Sequence, residues 1–227
     1  MTTQLHQVRI DLDAVSANLA VLGRDYRVDL SADAYGHGFS RVAHSALDAG
    51  TRDFIVRDTR EEGVLREIAA GRTIQVTIGD WSVNAEAVYG LGRHGPLHPV
   101  MRVSARVISV KRLVAGAPVS YGYTWRARVD TTVALVGIGY ADGISRRASN
   151  RASAFLRGPR AIVGRIAMDV LSLDLGDDPV SIGDEAVVFG HIPGSTEAWA
   201  AELGVPPLSV TAGIGPRVPR VYLRGVS

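Results

Sequence analysis

Hydrophobic and polar residues alternate with two different periods over the first 80 positions, which predicts strands interleaved with helices. Residues 8–12 alternate as a half-buried strand does, and a helix is expected over residues 14–24, capped by Asp13 or the residues just after it. Further strands are expected at 28–31, 54–56 and 73–78, and further helices at 40–49 and 59–70. Strands and helices in this order are typical of a parallel sheet covered by helices.

The pattern changes between residues 79 and 99, where glycine and proline recur and an irregular linker is expected. From residue 100 onward, alternating runs predict strands at 103–110, 131–136, 161–166, 170–175 and 186–189, a helix at 195–203 and an irregular final strand at 210–222. The expected fold class is α/β plus β, with an α/β domain over residues 1–98 and a β-domain over residues 99–227.

Composition excludes several classes of function. Hydrophobic residues make up 46% of the 227 positions, which is ample for a packed core, and no apolar run approaches the ~20 residues of a membrane span. The N-terminus lacks the basic and apolar segments of a secretory leader, so a cytoplasmic location is expected. The absence of cysteine excludes disulfides and thiolate chemistry, and a net charge of +2 does not indicate nucleic-acid binding.

The basic residues are almost all arginine, with a single lysine, Lys111, that is expected at the surface. An arginine excess of this kind fits a high-GC genome as well as it fits a function. Residues 145–165 hold six arginines and no acidic residue. This segment is expected to be either a solvated loop with strand ends or a pocket for a carboxylate or phosphate.

The most diagnostic motif is the string ADAYGHG at residues 32–38, which follows a predicted strand. It resembles the cofactor loop of alanine racemases, which are pyridoxal-phosphate enzymes. The resemblance extends over the strings VRIDLDA at 8–14, PVSYG at 118–122, GYADG at 139–143, GRIAMD at 164–169, GDE at 183–185 and the segment 213–219, all in family order. It implies an N-terminal (β/α)-barrel portion followed by the family's C-terminal β-domain.

Three departures from the family pattern bear on chemistry. Ser31 stands where the family has its cofactor lysine, and a hydroxyl cannot form a Schiff base. Trp125 stands where the family has an acid/base tyrosine, and an indole N–H only donates hydrogen bonds. Fewer than 100 residues precede the β-domain, whereas a closed barrel needs ~250. The sequence therefore predicts a truncated, incomplete barrel from which pyridoxal phosphate has been lost, with no cofactor and no metal.

Candidate site residues come from the surviving motifs. His37, Asp33 and Tyr35 lie in the loop after a strand, where α/β folds place their ligand chemistry, and histidine titrates near neutral pH. The resemblance adds Tyr140, Asp142 and Asp169 as further catalytic candidates. Ser31, Tyr123, Trp125 and Met168 are expected to line a substrate pocket. The alternative is that these residues persist because they shape turns and buried strand ends.

The function expected from the sequence is cofactor-independent acid/base chemistry on a small molecule, of isomerase, cyclase or lyase type. Two alternatives stay open: a non-catalytic ligand-binding or partner protein, and residual pyridoxal-phosphate binding. The strand at residues 73–78 would leave a bare sheet edge in an incomplete barrel, so a homodimer is expected. Neither nucleic acid nor membrane is expected as a partner.

Overall fold

The computed structural model of the protein describes residues 4–23, 25–80, 85–92, 96–190, 192 and 194–225. The strands are β1 His6–Asp11, β2 Val28–Asp29, β3 Asp53–Val56, β4 Gln75–Ile78, β5 Met101–Leu113, β6 Pro118–Val119, β7 Trp125–Arg126, β8 Thr131–Val136, β9 Ser153–Phe155, β10 Pro159–Ala161, β11 Leu171–Gly176, β12 Glu185–Gly190 and β13 Arg220–Leu223. The helices are α1 Leu12–Leu22, α2 Ser31–Tyr35, α3 Phe39–Asp48, α4 Thr59–Ala69, α5 Ser195–Leu203 and α6 Pro207–Ala212, with 3₁₀ turns at Ala87–Tyr89, Tyr140–Asp142 and Arg146–Ala148.

The α/β part is built on a parallel three-stranded sheet in the order β2-β3-β4. Helix α1 begins two residues earlier than the pattern predicts, because Asp11 rather than Asp13 caps it and accepts hydrogen bonds from two backbone N–H groups. Helix α4 covers the same sheet and is capped in the same way by Asp58. Strand β4 forms one edge of the sheet, as expected for residues 73–78.

The β part is organised around β5, whose first half pairs with β1 and β12 and whose second half pairs with β8. Strand β8 continues to β11, while β12 continues through β9 to β10. A bridge between Ile162 and Leu173 then links the end of β10 to β11, so the ring of strands closes. Because the ring closes there, the edges of β10 and β11 face each other and not solvent.

Strand β1 crosses the predicted domain boundary. It lies between β5, with which it is antiparallel, and β13, with which it is parallel. The division near residue 98 stays a prediction, with β1 as the part of residues 1–98 that belongs to the β-sheet. One hydrophobic core runs through both parts, from Val15 and Phe54 to Leu173 and Phe189.

Two predicted elements differ from the structure. Residues 210–222 were expected as an irregular strand, but α6 occupies residues up to Ala212, because Pro207 at its first turn suits a helix start, and only β13 is extended. Residues 161–166 were expected as a strand, but β10 ends at Ala161, and Gly164 then adopts a left-handed conformation with φ of +72°. None of the helices in the described ranges has the length and apolar character to cross a membrane.

Candidate functional site

The loop that follows β2 contains the short element α2, which is a left-handed turn and not a right-handed α-helix. Four successive non-glycine residues, Ala32 to Tyr35, lie in the left-handed region with φ between 52° and 57°. Each such residue costs about 1–2 kcal/mol relative to a right-handed conformation, so the surrounding structure must hold the turn in place. Gly36 follows with φ of +84°, and its carbonyl accepts a hydrogen bond from Arg220 on β13 at 3.0 Å.

A buried carboxylate, Asp29, anchors the start of this turn. One of its oxygens accepts the backbone N–H of Ser31 at 2.9 Å, and the other accepts the hydroxyl of Tyr35 at 2.6 Å. The hydroxyl of Tyr89 donates to the Asp29 carbonyl at 2.5 Å, and the Tyr35 and Tyr89 rings meet edge to face. Burial, together with the hydrogen bond to Asp29, raises the pKa of the Tyr35 phenol well above its ordinary value. Tyr35 is therefore fixed as a neutral donor.

His37 is fully buried beneath the turn. Its Nδ1 donates to the Ala34 carbonyl at 2.8 Å, and its ring stacks on Tyr89 with a centroid distance of 4.4 Å. Burial lowers the pKa of His37 to about 4, so the ring is neutral at physiological pH. Its Nε2 has no hydrogen-bond partner within the described residues.

Ser31 and Asp33 face different surroundings in the same turn. The Ser31 hydroxyl is buried and, among the described atoms, has no partner. Asp33 is exposed and caps α3 by accepting the backbone N–H of Phe39 at 2.7 Å. Asp33, Tyr35 and His37 thus each hydrogen-bond to a different group, and no hydrogen bond joins their side chains in the described structure. Their catalytic assignment stays a prediction.

Replacing Tyr35 with phenylalanine is expected to lower the free energy of unfolding by about 1.5 kcal/mol, because the buried Asp29 carboxylate loses a donor. Urea denaturation measures the change. Tyr123→Phe is the matched control, since its side chain is 64% exposed and its hydroxyl makes no hydrogen bond in the described structure. Equal stability of the Tyr35→Phe variant and the wild type would contradict the anchoring role of Asp29.

A second cluster lies on the β part, where the 3₁₀ turns meet the loop after β6. The guanidinium of Arg146 lies 5.4 Å from the ring centre of Tyr140 and 6.0 Å from that of Tyr121. The Tyr121 hydroxyl donates to the Ile166 carbonyl at 3.1 Å, which fixes the ring. Arg146 has no acidic partner among the residues that the structure describes. This exposed cation between two aromatic rings is available to an anion.

Asp142 supports this cluster from below. It is fully buried, and one oxygen accepts the backbone N–H of Gly139 at 2.9 Å, which closes the turn that carries Tyr140. Its other oxygen lies 3.5 Å from Arg217 and 3.9 Å from His6. Asp169 is exposed and pairs with the same Arg217 at 2.9 Å.

One segment, residues 213–220, connects the two clusters. At one end the backbone N–H of Gly215 donates to the Asp142 carbonyl at 2.9 Å. At the other end Arg220 donates to the carbonyls of Gly36, Gly215 and Val218. The loop after β2 and the turn of Tyr140 therefore share a single backbone support.

The remaining pocket candidates are separated. Trp125 packs in a small apolar cluster with Leu113, Val119 and Val133, at the β6–β7 hairpin. Tyr123 is exposed beside Arg126. Met168 is exposed as well, and its carbonyl accepts the backbone N–H of Ala141, the residue after Tyr140. No contact among the described residues brings Trp125, Tyr123 and Tyr140 into one pocket, so that pocket stays a prediction.

The site also contains residues that the sequence interpretation missed: Asp29, Tyr89, Tyr121, Arg146 and Arg217. Asp29 could have been recognised from the sequence, because it is a charged residue inside the otherwise uncharged strand predicted at 28–31. Tyr89 lies in the glycine- and proline-rich segment, which was expected to be irregular, although its 3₁₀ turn is buried. Arg146 was visible only as one of six arginines, and its neighbours became clear only in three dimensions.

Comparison with known proteins connects this arrangement to one group. A family model described as "Alanine racemase, C-terminal domain" matches residues 100–222. The alanine racemase of Thermobifida fusca is 42% identical over 149 residues, which are 62% of this chain and 40% of that protein. The alanine racemase of Desulfosudis oleivorans is 36% identical over 193 residues, 80% of this chain and 48% of that protein. The chain thus spans less than half the length of these curated relatives.

Solved structures share the fold. The alanine racemase from the D-cycloserine producer Streptomyces lavendulae aligns with a TM-score of 0.83 at 24% identity, covering 100% of this chain and 99% of that one. The alanine racemase from Bartonella henselae, solved with covalently bound pyridoxal phosphate, aligns with a TM-score of 0.84 at 19% identity, covering 96% and 99%. The C-terminal β-domain predicted from the sequence is confirmed, while the barrel character of the α/β part stays a prediction.

These matches correct one expectation. The sequence interpretation took pyridoxal phosphate to be lost because Ser31 stands at the position of the lysine, Trp125 stands at the position of the tyrosine, and the barrel is truncated. That prediction is wrong: the matched proteins are alanine racemases, and the Bartonella henselae structure carries the cofactor covalently bound. These departures were an insufficient reason to exclude the cofactor, because its affinity also comes from other groups that can hold its phosphate and ring.

Proposed function

The chain belongs to the alanine racemase family, and from that premise we propose that it binds a small amino acid together with pyridoxal phosphate. The β part supplies the cluster of Tyr121, Tyr140 and Arg146 to the amino acid. The α/β part supplies the loop after β2 to the cofactor. The single observation that carries the proposal is Arg146, held between two aromatic rings without an acidic partner in the described structure.

Arg146 has the chemistry to bind the carboxylate of an amino acid. A guanidinium donates two parallel hydrogen bonds to a carboxylate, and its planar shape favours this pairing. The rings of Tyr121 and Tyr140 lie 6.0 and 5.4 Å from the guanidinium and restrict the side chain. Met168, exposed near this turn, offers an adaptable apolar contact to a short side chain.

The residues beside the loop fit non-covalent retention of pyridoxal phosphate. A pocket of about 450 Å³ lies there, and it is lined by Ala32, Asp33, Phe39, Ser40, Arg57, Arg60, Glu61 and Val64. Arg60 would hold the phosphate and Phe39 would contact the ring, whereas Arg57 is already paired with Asp58 at 3.2 Å and Glu61 at 3.5 Å. The carboxylates of Asp33 and Glu61 are already engaged as acceptors of backbone N–H groups. The buried Ser31 hydroxyl, without a partner in the described residues, is a further donor beside the pocket.

When bound, pyridoxal phosphate supplies an electron sink for bonds at the α-carbon of an amino acid. The chain's own residues would bind the carboxylate, orient the α-carbon and limit access of water. The hydroxyl of Ser31 and the indole of Trp125 do not ionise near neutral pH, so neither can act as an acid/base group. We therefore expect amino-acid binding with a racemisation rate far below that of an enzyme with two acid/base groups.

A homodimer is part of the proposal. The exposed edge strand β4 and the exposed cluster around Arg146 are both surfaces that a second copy can cover. In such a dimer, the Arg146 cluster of one copy would complete the cofactor loop of the other. Light scattering measures the mass, and a clean monomer at micromolar concentration would contradict this part of the proposal.

Arg146→Gln is expected to weaken the binding of alanine at least about tenfold, because the carboxylate loses its guanidinium partner. Isothermal titration with D- and L-alanine, with and without pyridoxal phosphate, measures the effect. Arg147→Gln is the matched control, since Arg147 is an equally exposed neighbour that contacts neither Tyr121 nor Tyr140 in the described structure. Unchanged affinity in Arg146→Gln, or no alanine binding by the wild type, would refute the assignment.

The cofactor is tested separately by an absorption titration with pyridoxal phosphate. Saturable binding that Arg60→Gln weakens, and that the Arg66→Gln control leaves intact, is the expected result. Arg66 lies on the same helix but is paired with Glu62 at 2.6 Å. If the absorption spectrum of pyridoxal phosphate in the presence of the protein stays that of the free cofactor at every concentration, the loop does not bind it.

A further inference from the structure

A pocket of about 350 Å³ lies on the β part, away from the loop after β2. Its lining includes Ser109, Lys111, Leu113, Ser120, Tyr121 and Arg165. Its size is within the range of small-molecule sites. It contains the only lysine of the chain, for which the proposed function has no use.

Strand alternation explains why Lys111 lines the pocket. Residues two apart on β5 share a face, so Ser109, Lys111 and Leu113 line it together, while Arg112 faces the other way. Arg112 is paired with Asp177 at 2.6 Å. Lys111, in contrast, has no acidic partner within the described residues.

Arg165 supplies the second positive charge. It lies across Gly122, where a Cβ would come within 3.0 Å of the Arg165 Cζ, and its guanidinium lies 6.0 Å from the ring centre of Tyr121. Glycine at position 122 therefore makes room for the arginine. Arg165 also has no acidic partner in the part of the chain that the structure describes.

The rest of the lining is apolar or hydroxylated. Leu113, Val119 and Val133 are buried and belong to one apolar cluster, and Val170 extends this surface. Ser120 donates to the Arg165 carbonyl at 2.7 Å, which fixes the loop that carries the arginine. None of the lining residues is acidic. Two unpaired cations and several apolar side chains in the lining of one pocket match a ligand with one negative end and one apolar end.

We propose that this pocket binds a small organic carboxylate with an apolar body, with Lys111 and Arg165 as the charged contacts. The pocket adjoins the Arg146 cluster, with which it shares the ring of Tyr121, but its two cations are different residues, and the proposal does not rest on the amino-acid and cofactor function. A carboxylate satisfies both cations without the dehydration of a second negative charge that a phosphate would require.

The single lysine gives a direct measurement. Reductive methylation with isotope-labelled formaldehyde marks Lys111 and the terminal amine alone and keeps their charges. Titration with phenylacetate is expected to shift the Lys111 methyl resonance saturably, with a Kd of about 1 mM or tighter. Phenylacetamide, the neutral analogue, is expected to bind at least about tenfold more weakly.

Variants locate the site. Arg165→Gln and Lys111→Gln, followed by calorimetry, are expected to weaken phenylacetate binding about tenfold each, and Arg112→Gln is the control that leaves it unchanged. Equal binding of phenylacetamide, stronger binding of phenyl phosphate, or insensitivity to Arg165→Gln would overturn the proposal. A Lys111 resonance that changes with protein concentration and not with phenylacetate would also overturn it, since a second copy would then cover the pocket.

Discussion

Gly143→Ala is expected to lower the free energy of unfolding by about 4 kcal/mol or more, enough to abolish folding of a marginally stable chain. Gly143 has φ of +102°, and a Cβ there would overlap the carbonyl oxygen of Gly213. The same Cβ would lie 2.8 Å from the Gly215 nitrogen and 2.8 Å from the Ile214 Cα. All of these neighbours are backbone atoms, so the segment that connects the two clusters would have to move.

Gly183→Ala separates the two contributions to this loss. Gly183 has a similar φ of +94°, but a Cβ there would meet no atom within 4 Å. We expect it to cost only the backbone strain of a left-handed alanine, about 1–2 kcal/mol. Urea or thermal denaturation measures both variants. If Gly143→Ala costs no more than Gly183→Ala, the close approach of segment 213–220 to Gly143 is refuted.

Glu185→Gln is expected to cost about 2–3 kcal/mol at pH 7, because a half-buried ion pair between β5 and β12 loses its charge. The carboxylate of Glu185 accepts hydrogen bonds from Arg102 at 2.8 and 3.0 Å and from Ser104 at 2.7 Å. The hydrogen bonds from Arg102, together with that from Ser104, lower the pKa of Glu185 from 4.5 to about 2. The pair links adjacent strands at the centre of the sheet.

The pH dependence has a definite sign. A carboxyl whose pKa is lower in the folded state contributes stability that is fully present above pH 4.5 and is lost as pH falls through about 2. The difference between the wild type and Glu185→Gln should therefore shrink on acidification. Glu62→Gln is the control, since its ion pair with the exposed Arg66 is a surface contact worth about 0.5 kcal/mol. A difference that is constant from pH 7 to pH 2.5 would contradict the assignment.

The sequence predicts much of the fold because its strands and helices have clear periods and clear caps. Helix α5 begins and ends at the predicted residues, Ser195 and Leu203, since glycine follows it directly. The buried 3₁₀ turn at residues 87–89 was not predictable, because it depends on Asn18. The Asn18 side chain, on α1, donates hydrogen bonds to the carbonyls of Val88 and His98. It thereby pairs buried backbone groups in a segment whose sequence shows no hydrophobic periodicity.

The sequence motifs identified candidate site residues, but they did not predict how the side chains of those residues are arranged in space. Motif spacing placed His37 and Asp33 in one loop, but their side chains diverge because the left-handed turn directs one into the core and the other to the start of α3. Asp142 was predicted as a catalytic residue, which stays a prediction; in the structure it is buried and accepts the backbone N–H of Gly139 in the turn of Tyr140. The unpaired cations Arg146, Lys111 and Arg165 could be recognised only once their neighbours were known.

The pairing of β1 has a consequence for how the protein is made. Val8 pairs with Arg220 on one side and with Val103 on the other, so the first strand of the chain has its place between two strands that the ribosome produces much later. Until β5 emerges, β1 has no partner, and its second edge stays open until β13 is released. Long-range pairings of this kind form slowly and leave strand edges exposed in the meantime. The sheet can therefore be completed only after residues 220–223 have left the ribosome, and a nascent chain that stalls before residue 220 would leave that edge of β1 unpaired.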